Sequence, residues 1–487
     1  MATTMFPSSA GSGILHHYKA TKDCAALELI LSRGGIVFGK TNVPEFAASW
    51  QSCNYANGCT LNPYDHKLTS GGSSGGSGSA VASYIAPVAF TEDTGGSTRH
   101  PAYQNHNFGY DPSRNRYPNQ GNPGMTYTND QVGINARSID DILVFDAAFL
   151  DIQDVHDKFK ASQRPLKSLR IGIPEYPLVQ FSVPKDGYSS MPALPVEPNF
   201  QRVSASIEAK YRSAIQALKA GGATLVEEEW PPAKAKGSGR NAIEDLYYFQ
   251  KANGKPVDPM LPARFHSYTG QIAEFVRDYL NASVSIKDIL DDMTPMGEGH
   301  SSSSFAILSG TTDETQFRYV MAEHPMKAVT AYNSYFDELD VDVIMVPGQF
   351  CDAIQYEQAA ISVNTLRKGD SASGSIETST ASVIQCNLIS YNFIKEIPVP
   401  KMMVPTGLDS QGRPTGVMFL GRAGPRDATK DERGLWMYED SSTVESDVEF
   451  LYTVKTLVDH MYAADPTLKR AEPKLVKGPG NLFHSRE

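Results

Sequence analysis

No run in this chain approaches the ~20 apolar residues that a membrane-crossing helix needs, so an integral helical membrane protein is not expected. The opening stretch, Met1 to Gly13, is small and polar, with neither a basic flank nor an apolar core, and does not read as a signal peptide. Basic charge is in short supply: 44 Lys and Arg stand against 55 Asp and Glu, a net charge of −11. No basic stretch is interleaved with aromatics, which argues against a nucleic-acid partner. Cysteine is scarce too. Cys24, Cys53, Cys59, Cys351 and Cys386 are too few and too scattered for a disulfide framework. Cys53 and Cys59 are the closest pair, yet no Cys or His stands at zinc spacing beside them, so buried free thiols are expected. The 11 histidines form no HExxH motif, and His16-His17, His100 and His106 read as surface or loop residues. No metal or cofactor is implied. A cytoplasmic, reduced protein is the expectation.

What the chain does have is two glycine-rich serine loops. Ser73 lies in Ser70-Gly71-Gly72-Ser73-Ser74-Gly75-Gly76-Ser77, and Ser97 lies in Asp93-Thr94-Gly95-Gly96-Ser97-Thr98-Arg99. Glycine lets a backbone approach a ligand closely and turn sharply. Such a loop can aim consecutive N–H groups at one point beside a hydroxyl, which is what acyl transfer to a serine requires. Taken alone, Gly71 to Ser79 reads equally well as a flexible linker. The second loop tips the balance, because Asp93 and Arg99 flank it after an apolar stretch, and charges there need partners or water.

Around these loops the pattern alternates between helix and strand. Ala25 to Leu31 has helical spacing, and Ile36-Val37-Phe38 reads as a short buried strand. Ala80 to Ala89 predicts a buried helix running into a strand. Ser138 to Leu150 predicts an amphipathic helix with Ser138 as N-cap and Asp140 and Asp141 in its first turn. Strands are predicted at Leu169 to Ile173, Thr224 to Val226 and Val341 to Val346, and a long helix at Phe200 to Ala220. Lys401 to Val404 and Thr415 to Leu420 read as a hairpin turning at Asp409 to Gly412. This rhythm indicates an α/β fold. About 231 to 330 is more irregular, with a Ser-rich loop at Ser301 to Ser304, and is expected to shape substrate access.

Four ordered motifs carry a resemblance. GKTNVPEFA (Gly39 to Ala47), the GGSSGGS loop, DTGGSTRHPA (Asp93 to Ala102) and RPTGVMFLGR (Arg413 to Arg422) resemble the amidase signature family. The resemblance implies a single domain over residues 1–487, with a large mixed β-sheet covered on both faces by helices. It implies metal-free hydrolysis of carboxamide C–N bonds. By position, Ser97 corresponds to the acylated nucleophile and Ser73 to the bridging serine, with a cis peptide from Gly72. The backbone amides of Thr94, Gly95, Gly96 and Ser97 correspond to the oxyanion hole. Ser74, Asp93 and Arg99 correspond to supporting groups.

The third catalytic group of the family is a lysine placed shortly before a Thr-Thr segment that Thr3-Thr4 resembles, so its position falls before Met1. A preceding segment, a substitute lysine or a non-hydrolytic binding or scaffold protein are the alternatives. Lys19 and Lys22 sit in a polar segment and look solvated, while Lys40, inside the GKTN motif, is expected to be structural. Two departures stand near the site. Glu92 replaces a threonine usual before the aspartate, a prospective negative charge, and Asp111 stands where the family commonly has lysine. Phe46, Trp50, Tyr103 and Tyr110 are candidates to line the pocket, each equally able to be core. The expected partner is a small amide, with a homodimer left open.

Overall fold

The computed structural model describes residues 1–54, 56–126, 130–174, 203–227, 251–252, 255–256, 260–293, 324–349, 352–353, 399–423, 428–430, 436–438 and 443–474. Most of the expected substrate-access region, its Ser301 to Ser304 loop, and Cys351 and Cys386 lie outside these residues.

Two short strands, β1 (Cys53–Asn54) and β2 (Gly58–Cys59), form a hairpin of their own. The main sheet contains β3 (Val88–Asp93), β4 (Phe108–Asp111), β5 (Gln131–Ala136), β6 (Arg170–Gly172) and β7 (Thr224–Val226). After a minor hairpin, β8 (Lys251–Ala252) with β9 (Lys255–Pro256), it is completed by β10 (Val343–Pro347), β11 (Lys401–Leu408) and β12 (Pro414–Leu420). Its eight strands run in the order β3-β5-β4-β11-β12-β10-β6-β7. The pairings are antiparallel from β3 to β10 and parallel between β10, β6 and β7, so the sheet is mixed.

Both faces of the sheet are covered, and successive side chains alternate between them. In β12, Val417 and Phe419 join one core with Met402, Val404, Val343 and Met345. Met418 and Leu420 join the opposite core with Met403, Ile344 and Val346. Burial on both faces explains why VIMV and VMFL are continuous apolar runs rather than alternating ones. The helix Thr443–Ala464 packs Val448, Leu451, Val454, Leu457 and Met461 into the first core. Among the described residues no helix is long and apolar enough to cross a membrane.

The helices are α1 (Ala25–Ser32), α2 (Gly75–Ala82), α3 (Arg99–Gln104), α4 (Ile139–Leu150), α5 (Gln153–Ala161) and α6 (Ala205–Ala220), with further helices downstream. Ser138 caps α4 as expected, its Oγ accepting from the Asp141 N–H at 3.0 Å. Helix α2 starts inside the Gly/Ser run rather than at Ala80, and Gly71 to Gly78 is buried throughout, so this segment is packed structure and not a tether.

Two expectations fail. Ile36 to Phe38 is not a strand: Ile36 is 92% exposed and Phe38 75%. A short apolar run becomes a buried strand only when a neighbour completes its hydrogen bonds, and none of the described strands pairs with it. Cys53 and Cys59 are not free thiols but a disulfide. The turn between β1 and β2 makes them direct cross-strand partners with Cα atoms 4.0 Å apart, a proximity that six residues of sequence separation do not reveal. Cys24 is buried and free, as expected.

Candidate active site

The Ser73 loop is held from one side by Ser52. Its Oγ accepts from the Gly75 N–H at 2.7 Å and lies 2.8 Å from the Ser73 carbonyl and 3.1 Å from that of Gly71. The Ser52 N–H also donates to the Gly71 carbonyl. Gly72 is needed because a Cβ there would collide with the Trp50–Gln51 peptide. The Gly72–Ser73 peptide is cis. His100 Nδ1 accepts from the Gly72 N–H at 3.3 Å. Burial brings that imidazole down to about 4, so it is neutral at pH 7. Contrary to the surface placement that the sequence suggests, His100 and His106 are both fully enclosed. His100, on α3, is covered by the Ser73 loop and His106, just after α3, packs on Tyr64, so distant segments and not sequence neighbours decide this.

Asp93 shapes the Ser97 loop. Its carboxylate accepts from the N–H groups of Gly96 and Thr98 and from Arg99, with Nε to Oδ2 and Nη2 to Oδ1 both at 3.1 Å. Burial alone would push this carboxyl up, but the Arg99 charge, the hydrogen bonds and Lys401 together hold it below its usual range. Asp93 and Arg99 thus brace the loop. Gly96 adopts φ +129°, and a Cβ on it would meet the Trp50 ring at 3.1 Å.

The two serine loops meet through the main chain: the Ser74 N–H donates to the Ser97 carbonyl at 3.3 Å. Ser74 Oγ lies 3.2 Å from the Glu92 N–H, tying the same residue to β3. Among the described residues, neither the Ser73 nor the Ser97 hydroxyl makes a hydrogen bond, to each other or elsewhere. Of the four loop amides singled out as oxyanion donors, that of Gly96 is taken by Asp93. Those of Thr94, Gly95 and Ser97 meet no acceptor among the described residues, although all three residues are buried. Buried N–H groups are rarely left unpaired, and three such donors in one loop beside a serine are available to a ligand oxygen.

Behind the loop runs a row of polar side chains that sequence reasoning missed. Asp93, Gln131, Asp111 and Lys401 end four adjacent strands, with Asp93 opposite Gln131 and Asp111 opposite Lys401. Gln131 Nε2 donates to Asp111, Lys401 Nζ lies 3.1 Å from Asp111 Oδ2, and Arg99 Nε lies 3.4 Å from the same oxygen. Burial and the nearby Asp93 charge raise Asp111 to about 6, while burial lowers Lys401, partly offset by Asp111. The acid at 111, where the resemblance implies lysine, is therefore answered by a lysine across the sheet. A Lys opening one apolar strand and an Asp closing another was the available signal, since buried charges must pair.

The pocket candidates separate. Trp50 is half-buried against Gly96 and edge-on to His100, with ring centroids 5.7 Å apart. Phe46 and Tyr110 are core residues: the Phe46 carbonyl accepts from Tyr268, and the Tyr110 hydroxyl donates to Asp447 at 2.7 Å. Tyr103 is buried against Gly348 and Gly416. Lys40 is occupied at the N-terminal segment, donating to the Met1 carbonyl at 2.6 Å and Ser8 Oγ at 3.2 Å. Lys19 and Lys22 are exposed, Lys22 lying over the Tyr279 ring.

Comparison with known proteins bears on the fold and the family. The native peptide amidase of Stenotrophomonas maltophilia superposes with a TM-score of 0.63 at 18% identity, over 97% of this chain and 82% of that one, a likeness of fold. The glutamyl-tRNA(Gln) amidotransferase A-chain protein of Deinococcus radiodurans is 25% identical over 426 residues, which is 85% of this chain and 77% of that protein. Its counterpart in Deinococcus deserti is 28% identical over 290 residues, spanning 54% of each. The family described as Amidase matches residues 1–428 of the 487. With the serine loops, the mixed sheet and this match in agreement, the chain belongs to the amidase signature family.

Proposed function

We propose that this protein hydrolyses a small carboxamide through an acyl intermediate on Ser97. The observation that carries the reading is that the N–H groups of Thr94, Gly95 and Ser97, in the buried loop that bears this hydroxyl, meet no acceptor among the described residues. Ser97 Oγ attacks the amide carbonyl, its proton passing to Ser73 as the Ser73 proton moves on to a lysine base of the kind that the resemblance implies. The carbonyl oxygen gains negative charge and is met by the three amides, while the Gly96 amide stays with Asp93 and braces the loop. The amine leaves with a proton returned through Ser73, and water then attacks the acyl ester to release the acid. Donors of this kind are each worth a factor of about 10²–10³ in turnover. Lys40, tied to Met1 and Ser8, and Lys401, paired with Asp111, are both engaged elsewhere, which speaks against either as the lysine that the resemblance implies beyond Ser73.

Ser97→Ala and Ser73→Ala, assayed beside the parent on simple aryl amides, test this. Loss of turnover by about 10³-fold or more in each is expected, with loss of fluorophosphonate attachment in Ser97→Ala. Parental turnover by Ser97→Ala would reject Ser97 as nucleophile. Inertness of the parent towards amides and fluorophosphonate alike would favour the non-hydrolytic alternative.

A further inference from the structure

Glu92 ends up in a different state from the one its sequence position suggests. Thr94 Oγ1 lies 2.9 Å from Glu92 Oε1 and 2.7 Å from Asp130 Oδ1. A hydroxyl has one proton, so it can donate to only one of these acids. Asp130 is the acid better furnished to stay ionised: its Oδ2 takes the N–H groups of Met125 at 2.6 Å and Thr126 at 3.0 Å, and its Oδ1 lies 3.4 Å from the Thr126 hydroxyl. Thr94 therefore donates to Asp130. The contact with Glu92 is then a hydrogen bond only if Glu92 carries a proton and donates to Thr94.

We propose that Glu92 is a positioning residue: as the neutral acid it donates to the Thr94 hydroxyl, which donates to Asp130, and this chain fixes the Thr94 peptide, whose N–H is one of the proposed oxyanion donors. The inference rests on the reading of Ser97 as nucleophile. The surroundings favour the neutral form. Burial raises Glu92 well above the ordinary carboxyl range, and the Asp130, Asp93 and Asp111 carboxyls raise it further, with the Thr94 hydrogen bond opposing. Asp130 is itself raised to about 6 by burial, against its hydrogen bonds and the Arg114 charge. The backbone of Glu92 also holds Ser74, so the same residue touches both serine loops. Ionising Glu92 would replace a donor by a repelled carboxylate beside Thr94, loosening the loop and placing negative charge near the developing oxyanion.

The experiment compares the parent with Glu92→Gln, which can still donate but cannot ionise, and Glu92→Ala, which can do neither. The first readout needs no turnover. An acid raised in the folded state holds a proton there that the unfolded chain has released, so stability falls as pH rises from about 4.5 through the raised value. The melting-temperature difference, Glu92→Gln minus parent, should therefore grow with pH in that window. A difference flat from pH 5 to pH 9 overturns the proposal. The second readout is the rate of fluorophosphonate attachment to Ser97. Glu92→Ala should slow it at least tenfold at neutral pH and Glu92→Gln should rescue it, with the Gln-to-parent ratio rising towards alkaline pH. Equal rates in all three proteins overturn the proposal while leaving Ser97 in place. Attachment undiminished in a Ser97→Ala control overturns the nucleophile reading instead.

Discussion

Ser52 Oγ lies 2.8 Å from the carbonyl oxygen of Ser73, and the same atom accepts from the Gly75 N–H at 2.7 Å. One hydroxyl thereby fixes both sides of the serine that the proposed mechanism uses as a bridge. Ser52→Ala would leave a buried donor and a buried acceptor without their partner, a cost of about 1–3 kcal/mol. The expected result is a melting temperature lower by a few degrees, together with a fall in kcat larger than the change in KM. Melting curves and steady-state kinetics on one preparation check both.

The Asp111–Lys401 pair should be far more sensitive to single than to double substitution. Lys401→Met leaves Asp111 and Asp93 sharing Arg99, and removing one partner of a buried ion pair costs about 3–5 kcal/mol. Adding Asp111→Asn removes the stranded charge and should recover part of the loss. Urea unfolding of the two single variants and the double variant gives the coupling directly.

Acid should weaken the protein through two buried histidines. His100 is held down to about 4 and His106 to about 3, in both cases chiefly by burial. Below the ordinary histidine value of 6.5, the unfolded chain binds protons that the folded one refuses, so stability falls with pH through that window. At pH 4.5 each contributes a loss of roughly 2–3 kcal/mol. His106 sits at φ +53°, a conformation asparagine tolerates. His106→Asn should therefore show a smaller drop in urea midpoint between pH 7 and pH 4.5 than the parent.

The Cys53–Cys59 bond should be found in the purified protein. Peptide mapping without reductant is expected to recover the two as a linked pair and Cys24 as a free thiol. Replacing both by serine should lower stability by about 2–4 kcal/mol. Full alkylation of Cys53 in unreduced, unfolded protein would contradict the structure.

Much of this was legible in the sequence where local rules act alone. The Ser138 cap, the β11–β12 hairpin and the apolar strands of the sheet centre follow from patterns within a dozen residues. The two Gly/Ser loops could be singled out because their composition is unusual, and the resemblance assigned them roles. What escaped depends on pairing between distant segments. The exposure of Ile36 and Phe38 depends on whether a strand lies alongside, and the Cys53–Cys59 bond depends on a turn. The burial of His100 and His106 depends on loops arriving from elsewhere. Glu92 shows the limit most clearly. Its sequence position suggests a negative charge, whereas Thr94 and Asp130, two and 38 residues away, leave it a place only as a hydrogen-bond donor.

The line of side chains ending β3, β5, β4 and β11 also constrains how such a sequence can drift. Swapping the sign at 111 alone would set two cations face to face across neighbouring strands, and swapping it at 401 alone would set two anions there. Neutral substitutions aside, each position can change sign only in step with the other. Relatives carrying lysine in place of Asp111 are thus expected to carry something other than a cation opposite it, so these two sites should vary as a couple across the lineage.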